Sequence, residues 1–397
     1  MASEWRKHRI KDVVSFVVDN RGKTPPTQGE GHILLEVNAV SATEKFPLYQ
    51  EVRKHVSQEV YDTRFRKGHP KKGDILVPTV GTLGAVSLMD RDDCCIAQNL
   101  IAIRCDEATC HSHFLYYVLC NPMTRKRLLN LNIGGVQPSI KVPHLMELEI
   151  ELPSIGEQKK IAELLSLLDD KILCNNRIND NLQQQVATIF HQWFVANPES
   201  ENWPLVTLDS LTSLVSRGIA PKYTDDSVQI VLNQKCIRDH YIDVSLARRH
   251  NPKVITEKWL QYGDLLINST GEGTLGRAAQ VWFVPDNMTV DSHVTIVRPK
   301  GPHLLFYIGL WGISHEREIE ALHTGSTGQT ELPRERVKAM ELRLPDNDTL
   351  ARFNAVIAPI VSLIITNQQE NVRLASIRDA LLPKLMSGEI DVTDIQL

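Results

Sequence analysis

Cys105, Cys110, His111 and His113 bring two thiols and two imidazoles, the donor types zinc prefers, into one short stretch. Their separations of five, one and two positions fit none of the paired-donor patterns of zinc sites, so core or surface side chains are expected here and no metal is assigned. Asp90, Asp92 and Asp93, and farther on Asp346 and Asp348, could in principle hold divalent cations for phosphodiester hydrolysis, but carboxylates of this kind are ordinary at turns. Gly271 to Gly276 lacks the lysine and the following serine or threonine of a phosphate-cradling loop. The Asn-Pro dipeptides at Asn121, Asn197 and Asn251 lack the Pro-Tyr or Pro-Phe that completes an amino-methyltransferase loop, and no Gly-x-Gly-x-x-Gly opens a dinucleotide fold. No catalytic residue is assigned, and the chain is expected to be non-catalytic.

Other residues suit contact with a polyanion. Arg64, Arg66, Lys67, Lys71 and Lys72 crowd one segment, and Arg248, Arg249, Lys253 and Lys258 crowd another. Such groups neutralise phosphates and release counterions, which gives affinity without sequence information. Arg21, Lys23 and Thr24, with Arg217 and Lys222 in the second half, lie in early glycine-proline turns. Bidentate readers of base edges are arginine, lysine, glutamine and asparagine. Gln137 with Ser139, and Gln329 with Thr330, occupy matching polar turns; Thr79, Thr82, Ser269, Thr270, Glu272 and Thr274 flank two hairpin-like turns. All of these are candidate DNA contacts. Solvated charged faces and simple turn formation use the same residue types. The formal net charge of −4 excludes a protein that coats DNA by global charge, but not a local basic surface.

What must position these residues is a duplicated framework. Gly73-Asp74-Ile75-Leu76 returns as Gly263-Asp264-Leu265-Leu266, and Gly81-Thr82-Leu83-Gly84 returns 192 positions later as Gly273-Thr274-Leu275-Gly276. The same shift carries Ile150-Glu151-Leu152-Pro153 onto Leu342-Arg343-Leu344-Pro345 and Gln137 onto Gln329, while Tyr116 answers Tyr307. Two copies of this size mean duplicated domains and not a solenoid. Alternating apolar runs at 74–88, 96–104 and 148–152 predict strands, and 113–131 and 304–322 predict helices, so each copy is mixed α/β.

Each copy is followed by a heptad seam. Ile161, Leu165, Leu168, Ile172, Asn175, Asn179, Leu182, Val186, Ile189 and Trp193 step by four and three, and 192 positions later stand Phe353, Ile357, Ile360, Ile364, Asn367, Asn371, Leu374, Arg378, Leu381 and Leu385. A seam asparagine fixes register, because its amide is satisfied only opposite a matching polar group. Antiparallel pairing places Asn175 and Asn179 against Asn371 and Asn367. About 35 residues make a rod of roughly 50 Å, long enough to act as a ruler across on the order of 15 base pairs. Pro359, where the first copy has Leu167, is expected to kink the second helix or delay its start.

The resulting division is 1–155 and 196–347 as two recognition domains, 156–195 and 348–386 as two spacer helices, and 387–397 as a tail. The first eleven residues are charged, unlike a leader, and no stretch approaches 18 consecutive apolar residues. Seven cysteines, an odd number with Cys94 and Cys95 adjacent, fit a reducing compartment. A cytoplasmic protein is expected.

Two loop-rich mixed domains, each followed by a heptad helix with mid-seam asparagines, resemble the organisation of Type I restriction-modification specificity subunits over nearly the whole chain. Arg21-Gly22-Lys23-Thr24-Pro25-Pro26 and Arg217-Gly218-Ile219-Ala220-Pro221 look like that family's early turn, and Gly156-Glu157-Gln158-Lys159-Lys160-Ile161 looks like its helix opening. Ser387-Gly388-Glu389-Ile390 looks like its closing segment, whereas Asn347-Asp348-Thr349-Leu350-Ala351 departs from the second helix opening. The resemblance implies that each domain reads one half of a split, asymmetric double-stranded DNA target. It also implies assembly with methyltransferase subunits that use S-adenosylmethionine and with a restriction subunit that uses ATP and Mg2+, this chain holding no cofactor. A duplicated protein-interaction scaffold without DNA specificity is the alternative.

Overall fold

A computed structural model describes residues 5–395 except 23, 135–136, 252–256, 272, 326–329 and 394. The chain divides into two compact units, one comprising 1–174 and 370–397, the other 175–369. The first unit therefore takes its second helical segment from the far end of the chain, whereas the second is contiguous and begins inside the first long helix.

The first unit contains β1 (Arg6–Arg9), β2 (Val14–Val18), β3 (His32–Leu35), β4 (His55–Val56), β5 (Ile75–Pro78), β6 (Ser87–Leu88), β7 (Cys94–Ile96), β8 (Leu100–Cys105) and β9 (Glu149–Leu152). They form a four-stranded sheet in the order β2-β8-β5-β6, a three-stranded sheet β4-β3-β7 and the pair β1-β9. The second unit contains β10 (Leu205–Thr207), β11 (Thr212–Arg217), β12 (Ile230–Leu232), β13 (Ile237–Arg238), β14 (Tyr241–Ile242), β15 (Arg248–Arg249), β16 (Leu265–Asn268), β17 (Ala278–Gln280), β18 (Met288–Val290), β19 (Val294–Pro299) and β20 (Glu341–Arg343). Its sheets β11-β19-β16-β17, β15-β12-β18 and β10-β20 repeat the first unit strand for strand, with the hairpin β13-β14 added. Even the irregularities recur: β2 shifts register against β8 between Val14 and Phe16, and β11 against β19 between Thr212 and Leu214.

The repeated Gly-Asp motif has a structural purpose. Gly73 and Gly263 adopt positive φ (89° in both), which turns the chain into the central strand. Asp74, 1% exposed, receives two hydrogen bonds from Arg104 (Nε 2.9 Å, Nη2 2.7 Å), and Asp264, also 1% exposed, receives two from Arg298 (2.8 and 2.7 Å). Planar fork-to-carboxylate pairing satisfies both charges inside the fold. Burial nevertheless pushes the Asp264 carboxyl up against the opposing pull of Arg298.

The helices expected over 113–131 and 304–322 are each interrupted. The first breaks into Ser112–Cys120 and Pro122–Asn130, because Pro122 cannot donate and the Asn121 side chain caps the new start by accepting from the Met123 amide (2.9 Å). The second becomes Leu305–Ser314 and Glu316–Ala321.

The first long helix runs Ile155–Phe190 and ends in a wide turn over His191–Val195; the second runs Asn347–Met386. Ser154 and Glu157 cap the first reciprocally (Glu157 amide to Ser154 Oγ 3.4 Å, Ser154 amide to Glu157 Oε2 3.1 Å). Asp346 caps the second by accepting from the Thr349 amide (2.8 Å), which replaces the missing Glu-Gln opening. The helix runs through Pro359 without interruption and begins at Asn347, so its start is not delayed as the sequence suggested it could be. The proline is exposed, and the carbonyl it leaves without a partner belongs to exposed Ala355. An 18-residue window of this helix has a mean hydropathy of 1.7, enough for a membrane span by length and composition alone. Phe353, Ile357, Val361 and Ile364 of the helix are fully buried in the second unit's core.

Within each unit the two helical segments pack antiparallel. In the first, Ile161 and Leu165 share a core with Leu382 and Leu385, and Asp169 pairs with Arg378 (2.8 Å). In the second, Val186 and Phe190 share a core with Phe353, Ile357 and Val361. There the Asn367 amide donates to Asn179 Oδ1 (2.8 Å), and Asn179 Nδ2 donates to the Ile364 carbonyl (3.5 Å). Asn175 is fully buried and Asn371 half-buried.

Candidate nucleic-acid interface

Strand direction decides which candidate residues meet. In the first unit β2 and β5 both run antiparallel to β8, so their C-terminal ends lie beside its N-terminal end: Val18 opposes Ala102 and Pro78 opposes Leu100. The chain leaving β2 carries exposed Arg21 and Thr24; Thr24 Oγ1 donates to Gln98 (3.5 Å) just before β8. The chain leaving β5 makes the turn Gly81-Thr82-Leu83-Gly84, whose two glycines have φ of 88° and 77°. The 132–140 loop docks onto it through Gly81 N–H to Pro138 O (3.0 Å) and Ile140 N–H to Thr79 O (2.8 Å). Asn132 shapes that loop by accepting from the amides of Gly134 (3.0 Å) and Ser139 (2.9 Å). Thr82 and Gln137 are consequently exposed on adjoining loops, with Ser139 half-buried beside them.

Arg64, Arg66, Lys67, Lys71 and Lys72 are all exposed, and none makes an ion pair with an acid among the described residues. The segment bearing them is anchored by buried Phe65 and Pro70 and by a ring stack in which Tyr61 lies 3.9 Å from His32 and 3.6 Å from His69. Burial in that stack lowers the His69 pKa. Asn20 ties the segment to the end of β2 by accepting from the Lys67 amide (3.1 Å) and donating to Gly68 O (2.8 Å). Lys71 and Lys72, directly before β5, stand at the other end of that strand from Thr82. Arg21 is held by Asp19, whose hydrogen bond raises the guanidinium pKa.

The second unit builds the same place with different groups. The 269–276 turn is joined by Leu332 N–H to Ser269 O (2.8 Å). Thr270 Oγ1 receives Gln234 Nε2 (2.8 Å) and contacts His293 Nδ1 (2.9 Å), and Thr274 Oγ1 donates to Thr270 O (3.3 Å). Half-buried Thr330 enters this loop cluster. Beyond Gly218 the chain pairs with the segment around β15, with Asn251 N–H to Lys222 O (2.8 Å), which gathers exposed Lys222, Arg248 and Arg249. Arg248 lies over the Tyr223 ring at 3.6 Å.

Three candidates have other roles. Thr79 is 3% exposed and its hydroxyl donates to Asn99 O (3.2 Å); Ser269 is fully buried and shares a hydrogen bond with Thr295 (2.5 Å). Neither presents a group to a ligand, because each sits where a strand end is covered by the docking loop. Arg217 is half-buried, salt-bridged to Glu331 and bonded to Leu332 O (2.9 Å), so it braces that loop. Lys23, Lys253, Glu272 and Gln329 lie outside the described residues.

The candidate metal and acid clusters resolve into structure. Cys105 and Cys110 are buried, and burial with the Cys110 hydrogen bond raises the Cys105 thiol; burial lowers His113 to about 4. Among the described residues no group of three or more His, Cys, Asp or Glu is arranged to hold a metal ion. Asp90 accepts the Tyr49 hydroxyl, Asp92 accepts the Lys72 amide and Asp93 pairs with Arg91. The helix-opening motif contained Gln158 but gave no sign of its role; it is 1% exposed. It latches the first long helix to the domain by donating to Pro153 O (3.0 Å) and Thr109 O (3.1 Å) and accepting from the His111 amide (2.9 Å).

Residues 2–184 match the family model of the Type I restriction modification DNA specificity domain. The chain is 26% identical to the Type I restriction enzyme MjaIX specificity subunit of Methanocaldococcus jannaschii, over 72% of this chain and 70% of that one. It is 22% identical to the HindI specificity subunit of Haemophilus influenzae, over 81% and 87%. The fold is similar to the crystal structure of the Type I restriction-modification S subunit from M. genitalium, with a TM-score of 0.55, 16% identity and 96% of both chains covered.

Proposed function

We infer that the chain is a Type I restriction-modification specificity subunit, a non-catalytic DNA-recognition component, and that each unit reads one half of a bipartite, asymmetric target in double-stranded DNA. The observation that carries this reading is the duplicated loop cluster: one sheet framework, kept to the register shift and the buried Asp–Arg pair, displays different polar groups in the two units. Thr82 and Gln137 in the first, with Arg248, Arg249 and Lys222 in the second, are the groups it offers to bases and phosphates. The uncompensated cations of 64–72 supply sequence-independent affinity that falls with salt. A loop that differs while its support stays constant is how specificity varies without loss of fold.

In this reading methyl transfer and DNA cleavage belong to partner subunits. A methyltransferase subunit would bring S-adenosylmethionine, a restriction subunit would bring ATP and Mg2+, and this chain would hold none of them. The complex would work in the cytoplasm, where the chromosome is. The test is a comparison of methylated adenines, read by single-molecule sequencing, in a host making this chain with its neighbouring methyltransferase subunit and in a host lacking the chain. One bipartite motif that depends on the chain is the expected result. An active methyltransferase that binds the chain yet gains no motif would overturn the reading in favour of an interaction scaffold.

A further inference from the structure

The two seams repeat one pattern of apolar positions and paired asparagines, so each long helix presents to a second copy of itself much the same kind of surface as it presents to its actual partner. The asparagines do not prevent this, since Asn179 bonded to Asn367 would meet Asn175 of a like helix in the same place. One layer differs. In the first unit Asp169, its side chain 7% exposed, pairs with Arg378 at 2.8 Å and accepts the hydroxyl of buried Tyr117 at 2.6 Å. Ser166 lies 3.4 Å from the same hydroxyl, Asp379 also bonds Arg378 (2.9 Å), and Glu44 feels both charges. At the 192-residue equivalents in the second unit stand Val361 for Asp169 and Val186 for Arg378, both at most 1% exposed, and Ile308, at the 191-residue offset that relates Tyr116 to Tyr307, replaces Tyr117.

We propose that Asp169 and Arg378 are partner-selecting residues that restrict each long helix to its unlike partner and reject a second copy of itself. Pairing of unlike helices matches charge with charge and valine with valine. Two first helices would bury Asp169 against Val186 twice, and two second helices would bury Arg378 against Val361 twice. A buried charge stripped of its counter-ion is strongly unfavourable, so two first helices carry two buried carboxylates without a cation, the larger penalty, while two second helices each lose Asp169 and leave Arg378, 24% exposed, with Asp379 alone. Register is set by the asparagines and identity by the ion pair. Resting on the reading above for its purpose, this device ensures that a complex carries one copy of each unlike reading unit, as an asymmetric target requires.

The test uses the full chain and no DNA, so its outcome is independent of whether the chain reads DNA. Tagged and untagged copies are unfolded together, refolded at several concentrations, and the untagged copy recovered with the tagged one is measured. D169V/R378V makes every layer apolar, and V186R/V361D makes both layers charged and complementary; each keeps unlike pairing satisfied while permitting like pairing. Capture rising about tenfold or more over wild type in both variants, with the swapped D169R/R378D behaving as wild type, is the expected result. Capture at the wild-type level in either variant that refolds overturns the proposal, as does equal exchange by wild type itself.

Discussion

The two units place a carboxylate and an arginine in the same buried spot, yet they shield them differently: Arg298 is 12% exposed over Asp264, whereas Arg104 is 29% exposed over Asp74. Around that shared pair the helical seams diverge further, with a charged layer in the first unit and valines in the second. The comparison shows what the fold demands twice, namely the turn into the central strand and its ion-paired floor. It also shows what each unit is free to change, namely loop chemistry and one seam layer.

The sharpest way to break the comparison is to remove each carboxylate. Asp264→Ala should cost about 3–5 kcal/mol because Arg298 keeps its bonds to the Glu257 and Trp259 carbonyls but is left buried without a counter-charge, and Asp74→Ala less, roughly 2–3 kcal/mol, because Arg104 reaches more water. Urea unfolding of the full chain measures both, and equal losses would contradict the ranking. Next comes a contact found only in the second unit. Gly309 lies where a Cβ would meet the Gln280 side chain at 2.1 Å, and Gln280 is fixed by bonds to Gly263 O, Leu305 O and the Trp282 indole. Gly309→Ala should therefore destabilise by roughly 1–3 kcal/mol, while the first unit tolerates Val118 at the corresponding place. A thermal midpoint unchanged by Gly309→Ala would refute the tighter helix–sheet packing.

Asn367→Ala should cost about 1–2 kcal/mol by leaving the Asn179 carbonyl oxygen short of a donor, measured in the same unfolding experiment. Smallest is a pH effect confined to the second unit. His240 on the β13–β14 turn lies 3.4 Å from Glu316, and that hydrogen bond raises its pKa. A raised folded-state value means the stabilisation is full below the unfolded pKa near 6.5 and is lost as pH rises through the higher folded value. Half-exposed, the pair should contribute only a few tenths of a kcal/mol. His240→Ala should abolish this slope in stability above pH 6.5, and a slope that survives would place its origin elsewhere.

Much of this was legible in the sequence because it is periodic or repeated. The Gly-Asp and Gly-Thr-Leu-Gly repeats marked the central strand and its turn, and the four-three spacing with paired asparagines marked the seam. The Asp–Arg floor was not legible, since Asp74 and Arg104, or Asp264 and Arg298, lie far apart in sequence and no local pattern joins them. Thr79 and Ser269 misled for a related reason: a hydroxyl next to a glycine turn looks exposed until a loop from far along the chain covers it. Spacing suggested that the two helices pair, but not that the boundary between the compact units falls inside both of them, at 174/175 and 369/370, because that depends on packing.

Whether each loop cluster reads its own half of the target is measured most directly by the methylated motif of a host carrying Thr82→Ala/Gln137→Ala in place of the parent chain. Both side chains are exposed on docked loops, so the fold should persist and specificity should relax at positions of one half by roughly 1–3 kcal/mol per lost base contact. Degeneracy confined to one half, with the other half and the spacer unchanged, is the predicted result. A motif altered in both halves, or not altered at all while the variant protein remains folded, would contradict it.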